Sequence, residues 1–319
     1  MILITGGAGF IGGNFIHYLH NNHKDVVNKV VCIDSLEYSS NLEYIQPLID
    51  SGFVDFYKRD IYLMPHAEEL DQYQFEYIFN FAALTHVDNS IKCPYEFLLT
   101  NEMGTYYLLE WAKLTQTKLK KFIHISTDEV YGSLSSIWDE PFNEESTYQP
   151  NSPYSASKAS SDHWVRAYHS TYGLPTIVTN CSNNYGPNQH EEKLIPKVIS
   201  NALNDKPIPV YGNGQNIRDW LYVEDHCRAL YMVMTRGEVG QKYNIGGGRE
   251  LLNIDLIKKI LDLMKKPHSL IEYVEDRPGH DYRYAINDRK IEQELGYRPE
   301  YSLDWGLKKT IGWYTNGRS

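Results

Sequence analysis

The sequence predicts an α/β fold: a doubly wound parallel sheet, followed by a smaller, mixed α/β C-terminal lobe. Three observations predict it. Short, apolar, β-branched runs recur through the first half, namely "MILIT", "KVVCID", "YIFNFAA", "KFIHIST" and "PTIVTN". Helical patterns lie between them, at 13–23 and 95–115. Buried strands that alternate with helices fold as parallel βαβ units with right-handed crossovers. Lastly, the first strand runs straight into a glycine loop that opens a helix.

That loop is "TGGAGFIG", in which Gly6, Gly9 and Gly12 are spaced G-x-x-G-x-x-G. Glycines there permit a tight turn, close approach of a pyrophosphate and close packing of helix on sheet. The helix N-terminus then aims its free amides at phosphate. The arrangement is Rossmann-like. The second strand ends at Asp34, 22 residues past Gly12 (34 − 12). A carboxylate in that place accepts ribose hydroxyls and repels a 2′-phosphate, so NAD is expected rather than NADP. Asp60 and Ile61 are read as closing the third strand, either at the adenine edge or in a surface turn.

After about Asn183 the pattern changes. "NNYGPNQHEEKLIP" and "GNGQNIRDWLYVEDH" read as long loops rich in Asn, Gly and Pro. In "LLNIDLIKKILDLMKK" the apolar residues at 252, 256, 257, 260, 261 and 264 have helical spacing. The division read from this is a cofactor domain over 1–183, with a later segment of about 215–245 returning to it. Residues 184–319 are mainly a substrate lobe.

Composition narrows the function. The 319 residues suffice for two lobes, and 42% hydrophobic with 23% charged residues is ordinary for a globular protein. A net charge of −10 argues against a nucleic-acid partner. Cys32, Cys93, Cys181 and Cys227 are far apart and form no metal or redox pair, so no metal is expected and a reducing compartment is. Met1 leads directly into a strand, which leaves no room for a signal peptide, and no apolar run approaches a membrane span. A cytoplasmic protein is the reading.

Two motifs carry chemistry. "YSASK" puts Tyr154 and Lys158 four residues apart in a helix entered through Ser152 and Pro153. An ammonium beside the phenol is expected to lower the Tyr154 pKa and make it a base for a sugar hydroxyl. Together with the glycine loop, this pair resembles the extended short-chain dehydrogenase/reductase family. At the end of the "KFIHIST" strand stand Thr127, Asp128 and Glu129, where ligands of open α/β sheets bind. These eight residues alone, "ISTDEVYG", read equally well as a capped turn with two surface acids. One reaction would use every piece. Tyr154 and NAD oxidise C4 of a hexose, and the ketone acidifies the C5 proton. One carboxylate removes that proton while the other, as a neutral acid, protonates the departing C6 hydroxyl. The hydride then returns to C6, giving a 4-keto-6-deoxy sugar. One acid and one base side by side require their pKa values to be split.

"STDEVYG" followed by "NSPYSASKASSDH" is similar to the nucleotide-sugar 4,6-dehydratases of that family. The similarity continues through "TNCSNNYGPNQHEEKLIPKVI", "PVYGNGQNIRDWLYVEDH", "YNIGGG" and "DRPGHDYRYAIN", and so covers nearly the whole chain. The resemblance implies that Tyr154 is the C4 base, Lys158 its tuner, Thr127 the partner of the C4 oxygen, Asp128 the C6 acid and Glu129 the C5 base. It implies an NAD cleft lined also by Phe10, Ile11, Ala82, Ala83, Thr100, Ser126 and Asn184. His86, Asn183, Glu192, Lys193 and Leu194 are expected along the sugar and phosphates. Arg218, Asn253 and Arg277 are expected at the diphosphate and nucleotide, beside His280, with Pro209 and Tyr211 at the pyrimidine.

On the residues alone, Arg218 could instead pair with Asp219 on the surface, Asn253 could cap a helix and His280 could sit in a turn. Lys193 reads equally as a solvated loop lysine, and Tyr211 as core packing. "RDWLYVEDH" and "DRPGHD" lean towards a dTDP-glucose substrate, whereas "LTHVDNS" and "DSLEYSSNL" lean towards UDP-glucose. The resemblance further implies a role in deoxysugar supply, of rhamnose for example, and a homodimer built by the 95–115 and 154–172 helices. A 4-epimerase would need the Tyr/Lys pair but not the two carboxylates. A non-catalytic NAD-binding regulator would need neither.

Overall fold

The computed structural model describes residues 1–316. Its main sheet has seven parallel strands in the order β10-β6-β5-β4-β1-β2-β3. These are β1 (Ile2–Thr5), β2 (Val30–Asp34), β3 (Val54–Lys58), β4 (Tyr77–Asn80), β5 (Lys121–Thr127), β6 (Thr176–Cys181) and β10 (Lys242–Ile245). All four β1 residues and all five of β2 are buried, because helices cover both faces of the sheet. The strand order reverses between β1 and β4, which opens a crevice at their C-terminal ends.

The helices are α1 (Phe10–His23), α2 (Leu42–Asp50), α3 (Val87–Lys92), α4 (Pro94–Phe97), α5 (Gly104–Thr115) and α6 (Pro153–Tyr172). After them come α7 (Leu194–Leu203), α8 (Val223–Arg236), α9 (Asn253–Met264), α10 (Arg289–Leu295) and α11 (Leu303–Thr315). One core holds Phe15 and Ile16 of α1 with Leu230 and Val233 of α8 and Ile291 of α10. On the other face, Leu108 and Trp111 of α5 meet Val165 and Tyr168 of α6. No described helix is long and apolar enough to cross a membrane.

A third core, made by α7, α9 and α11, underlies the smaller lobe. Its strands are β7 (Asn183–Tyr185), β9 (Ile217–Tyr222) and β11 (Glu250–Leu252) in one sheet, and β8 (Ile208–Tyr211) with β12 (Ile271–Val274) in another. Two expected loops therefore contain regular structure. β7 runs parallel to β9, and each lies inside a segment read as irregular. Asn, Gly and Pro crowd those segments, but they confine the turns to short stretches such as 212–216. β9 escaped notice because Arg218 and Asp219 break its apolar pattern while being buried themselves.

Two further expectations need correction. The third strand ends at Lys58, and Asp60 instead caps a short 3₁₀ turn (Ile61–His66), accepting from the Tyr62 amide at 2.9 Å. The expected 95–115 helix is not uniform. A π turn, Leu98–Met103, links α4 to α5, and it turns Asn101 inward against the Leu84 backbone.

Candidate active site

The C-terminal ends of β1, β2, β4 and β5 surround one cleft. Gly6, Gly9, Phe10, Ile11, Gly12, Asp34, Asp60, Ile61, Ala82, Ala83, Thr100, Ser126 and Asn184 all line it, together with Thr127, Asp128, Glu129, Tyr154 and Lys158. Gly6 has φ +68°, and a Cβ on it would lie 2.7 Å from the Ala82 amide. A Cβ on Gly12 would lie 2.4 Å from the Gly6 carbonyl oxygen. Side chains are thus kept out of the space above the α1 N-terminus, where free amides suit a phosphate. The Asp34 carboxylate accepts from the Ala8 amide at 3.0 Å, the Leu36 amide at 2.8 Å and the Ser40 hydroxyl at 2.9 Å. A carboxylate offers about four acceptor sites, so capacity is left for a ribose hydroxyl. Nearby Arg59 is held by Glu69 through two bonds of 2.5 and 2.7 Å and is not available to a 2′-phosphate. The cradle, the anion-binding helix end and the committed arginine fit NAD.

α6 starts cleanly because Ser152 and Ser155 form a capping box across Pro153, the first helical residue. That start sets Tyr154 and Lys158 in its first turns, both buried. Tyr154 departs from expectation. Burial, aided by Glu129 and Cys181, pushes its phenol well above the usual range. Lys158 does not offset this, because its ammonium turns toward β5 and donates to the Ile125 carbonyl at 2.8 Å. Burial lowers Lys158 itself to about 8, against the pull of Asp162.

The two carboxyls differ. Burial, then Glu129 and Asp219, raise Asp128 well above the carboxylate range, and Arg218 opposes them. Burial also raises Glu129, but Lys193, Arg218 and Arg277 all pull it down. Burial therefore favours the neutral form more strongly at Asp128 than at Glu129, which three cations pull the other way. The turn is capped, since Thr127 Oγ1 accepts from the Glu129 amide at 3.3 Å, but its acids are not on the surface: Asp128 is 2% exposed and Glu129 is half-buried.

The remaining expected residues fall into two groups. Asn183, Glu192 and Lys193 line the same cleft, with Leu194 next in line as the first residue of α7. Lys193 is not a solvated loop lysine, since it donates to the Thr85 carbonyl at 2.7 Å. The second group lies mostly in the smaller lobe, and two of its residues reach Asp88 of α3. Arg277 reaches Asp88 Oδ1 at 3.2 Å and Tyr211 donates to Oδ2 at 3.1 Å, while the His280 ring stands edge-on to Tyr211. Pro209 is on β8 with Tyr211, and His86 precedes α3 with its Nδ1 buried and unpartnered. Arg218 makes no surface pair. It is buried, stacked 4.2 Å over Tyr284, and bonded to the carbonyls of Ile217, Asp281 and Tyr282. Asn253 caps nothing; it is the first residue of α9, and its Oδ1 is buried without a partner.

Sequence reasoning missed Asp88, although it stands two residues after His86 in "THVDNS". It also missed Tyr38, which accepts from Asn89 at 3.1 Å and donates to Glu192 at 3.2 Å. No local signal marks Tyr38, because its partners come from distant segments.

A family model described as GDP-mannose 4,6 dehydratase matches residues 3–310. The dTDP-glucose 4,6-dehydratase of Salmonella typhimurium is 50% identical over 335 residues, covering 98% of this chain and 92% of the relative. That of Neisseria meningitidis is 48% identical over 340 residues, covering 100% and 94%. Among solved structures, dTDP-glucose 4,6-dehydratase from Streptomyces venezuelae with NAD and TYD bound superposes with a TM-score of 0.94 at 44% identity, covering 99% of this chain and 97% of that one. UDP-glucose 4-epimerase from Thermotoga maritima superposes with a TM-score of 0.89 at 29% identity, covering 99% and 98%. The chain belongs to the nucleotide-sugar 4,6-dehydratases of the extended short-chain dehydrogenase/reductase family.

Proposed function

We infer that this dehydratase-family chain converts dTDP-glucose to dTDP-4-keto-6-deoxyglucose, with NAD as its bound cofactor. The carrying observation is the unequal pair at the end of β5: a buried Asp128 whose Oδ2 has no partner, beside a Glu129 that burial also raises but that Lys193, Arg218 and Arg277 pull down. Relatives with this activity match end to end at about half of all positions. A 4-epimerase makes no use of an acid and a base at C5 and C6.

Bound NAD supplies a reversible store for two electrons, taken from C4 and given back at C6. The chain's own residues do the proton work. Tyr154 Oη is assigned to take the proton of the C4 hydroxyl, for which its phenol must first lose the proton that burial holds on it, and the Thr127 hydroxyl is assigned to bond the C4 oxygen. Glu129 removes the C5 proton once C4 is a ketone. Asp128 protonates the C6 hydroxyl, which departs as water. Lys193, Arg218 and Arg277 gather cationic charge for a diphosphate in a chain whose overall net charge is −10. Pro209, Tyr211, Asn253 and His280 are assigned to the nucleoside end.

We further propose a homodimer through α4–α5 and α6, whose outer faces expose Tyr95, Leu98, Leu114, Trp164 and Tyr172. The setting is cytoplasmic, where the four free thiols stay reduced. Light scattering tests the dimer, and a monomer at micromolar concentration rejects it.

The test of function is isotopic. dTDP-glucose deuterated at C4 is incubated with the protein, beside UDP-glucose, and the product is read by NMR. Deuterium in a new C6 methyl group supports the reading. A C4 epimer, or a label lost to water, overturns it. Faster turnover of UDP-glucose would reassign the base while keeping the chemistry.

A further inference from the structure

His124 is fully buried on β5 and takes no part in the chemistry above. Its hydrogen-bond partners nevertheless settle which ring nitrogen carries the proton. The Ala82 amide donates to Thr5 Oγ1 at 3.2 Å, so the Thr5 hydroxyl hydrogen goes to Asn80 Oδ1 at 2.7 Å. That contact orients the Asn80 amide. Its Nδ2 donates to Thr105 Oγ1 at 3.2 Å, whose own hydrogen goes to the Asn101 carbonyl at 2.7 Å. The same Nδ2 lies 3.1 Å from His124 Nδ1, which must therefore accept. The neutral ring carries its hydrogen on Nε2. That N–H meets Ser161 Oγ at 3.1 Å, an acceptor because Ser161 donates to the Lys158 carbonyl at 2.8 Å.

Lys158 Nζ lies 3.3 Å from the same Nε2, and so faces an N–H where the other tautomer would present a lone pair. An ammonium has three hydrogens. One goes to the Ile125 carbonyl, and the other two have no acceptor among the described residues. Lys158 lines the cleft.

We propose that His124 is a positioning residue for Lys158. The Thr5–Asn80–His124 chain locks the imidazole as a donor, and the lysine is thereby left two ammonium hydrogens for acceptors in the cofactor cleft. This rests on the reading of the cleft as an NAD site only for what the hydrogens meet, not for the lock itself.

Burial and the nearby ammonium hold His124 down at about 4, so the ring is neutral across the working range. The titratable groups around the pair are Tyr154 and Asp162 on α6, Cys181 on β6, and Asp128 and Glu129 beyond β5; Asp162 Oδ1 stands 3.4 Å from Nε2. Lys158 is lowered to about 8, so its charge is lost as pH rises through that value. An internal acceptor would move the loss to higher pH. A second positive charge would move it lower.

The test reads nuclei rather than turnover. In ¹⁵N-histidine protein, the His124 signals should show a bare Nδ1 and a protonated Nε2, unchanged across about pH 6 to 9. An Nδ1–H tautomer or an imidazolium overturns the proposal. Asn80→Leu removes the lock, and the Lys158 ¹³Cε midpoint should rise by on the order of one unit. Asn80→Asp keeps the shape, should draw a proton onto the ring, and should lower that midpoint. An unmoved midpoint in either folded variant overturns the proposal, because a merely structural His124 would change the melting temperature alone. The protein is titrated without substrate, so a failed dehydratase assay leaves this result standing.

Discussion

The Thr127 hydroxyl donates to Asp128 Oδ1 across 3.3 Å, and Oδ2 of the same carboxyl is buried without a partner. An ionised Asp128 would place charge on an oxygen that nothing solvates. The protonated acid is the form this environment favours, and it is the form that can expel water from C6. Asp128→Asn keeps the shape and loses that proton. We expect methyl formation to fall by about 10²- to 10⁴-fold. The C5 hydrogen should still exchange with D₂O through Glu129, and NMR reads both events. Full-rate methyl formation by this variant would remove Asp128 from the acid role.

The same carboxyl should cost stability. Its folded pKa lies above the unfolded one, so the stability linked to its proton is fully present below the unfolded value. That contribution is lost as pH rises through the folded value. Asn carries no such penalty. Asp128→Asn should therefore melt with the wild type near pH 4 or below, and about 2–6 °C above it in mildly alkaline buffer. Calorimetry at the two pH values checks the sign, and a gap that shrinks as pH rises would contradict it.

Most of the cleft was legible in the sequence, because β1 and β2 are continuous apolar runs and the ligand-facing residues follow directly, whereas β3 (VDFYK) and β10 (KYNI) carry no such run. Gly6, Asp34 and Thr127 each stand at such a strand end. The smaller lobe was less legible. β9 holds Arg218 and Asp219 in buried positions, where backbone carbonyls and amides satisfy them, and a polarity pattern cannot show that. The π turn at Leu98–Met103 follows from the pairing of Asn101 with Leu84, a contact that no local spacing announces. The expected Lys158 effect on Tyr154 failed for a related reason. Helical spacing places two residues on one face, but the acceptors on β5 decide where the lysine points.

Two glycines should respond oppositely to the same change. Gly12→Ala would put a methyl 2.4 Å from the Gly6 carbonyl oxygen, and backbone on both sides cannot yield cheaply. We expect a loss of about 1–3 kcal/mol and a protein that retains less NAD through gel filtration. Gly312 sits inside α11 with nothing within 4 Å of its added Cβ. Gly312→Ala should stabilise by up to about 1 kcal/mol through helix propensity. Paired melting curves check both, and destabilisation at 312 would show that the α11 surface is covered in solution.

Arg277 and Asp88 join the smaller lobe to α3 through a 3.2 Å ion pair, and Tyr211 bonds the other Asp88 oxygen. Both charged side chains are about a quarter exposed, so the pair contributes little to stability after screening. Its consequence is positional: Asp88 holds the guanidinium that Glu129 also senses. If Arg277 binds the diphosphate equally in ground and transition states, Arg277→Ala should raise KM by roughly 10- to 100-fold with kcat little changed. Asp88→Asn keeps the arginine but loosens it, so its KM should rise only several-fold and become more sensitive to salt. Steady-state kinetics at two ionic strengths separates these outcomes. A fall in kcat at constant KM for Arg277→Ala would move Arg277 from holding the substrate to the chemical step.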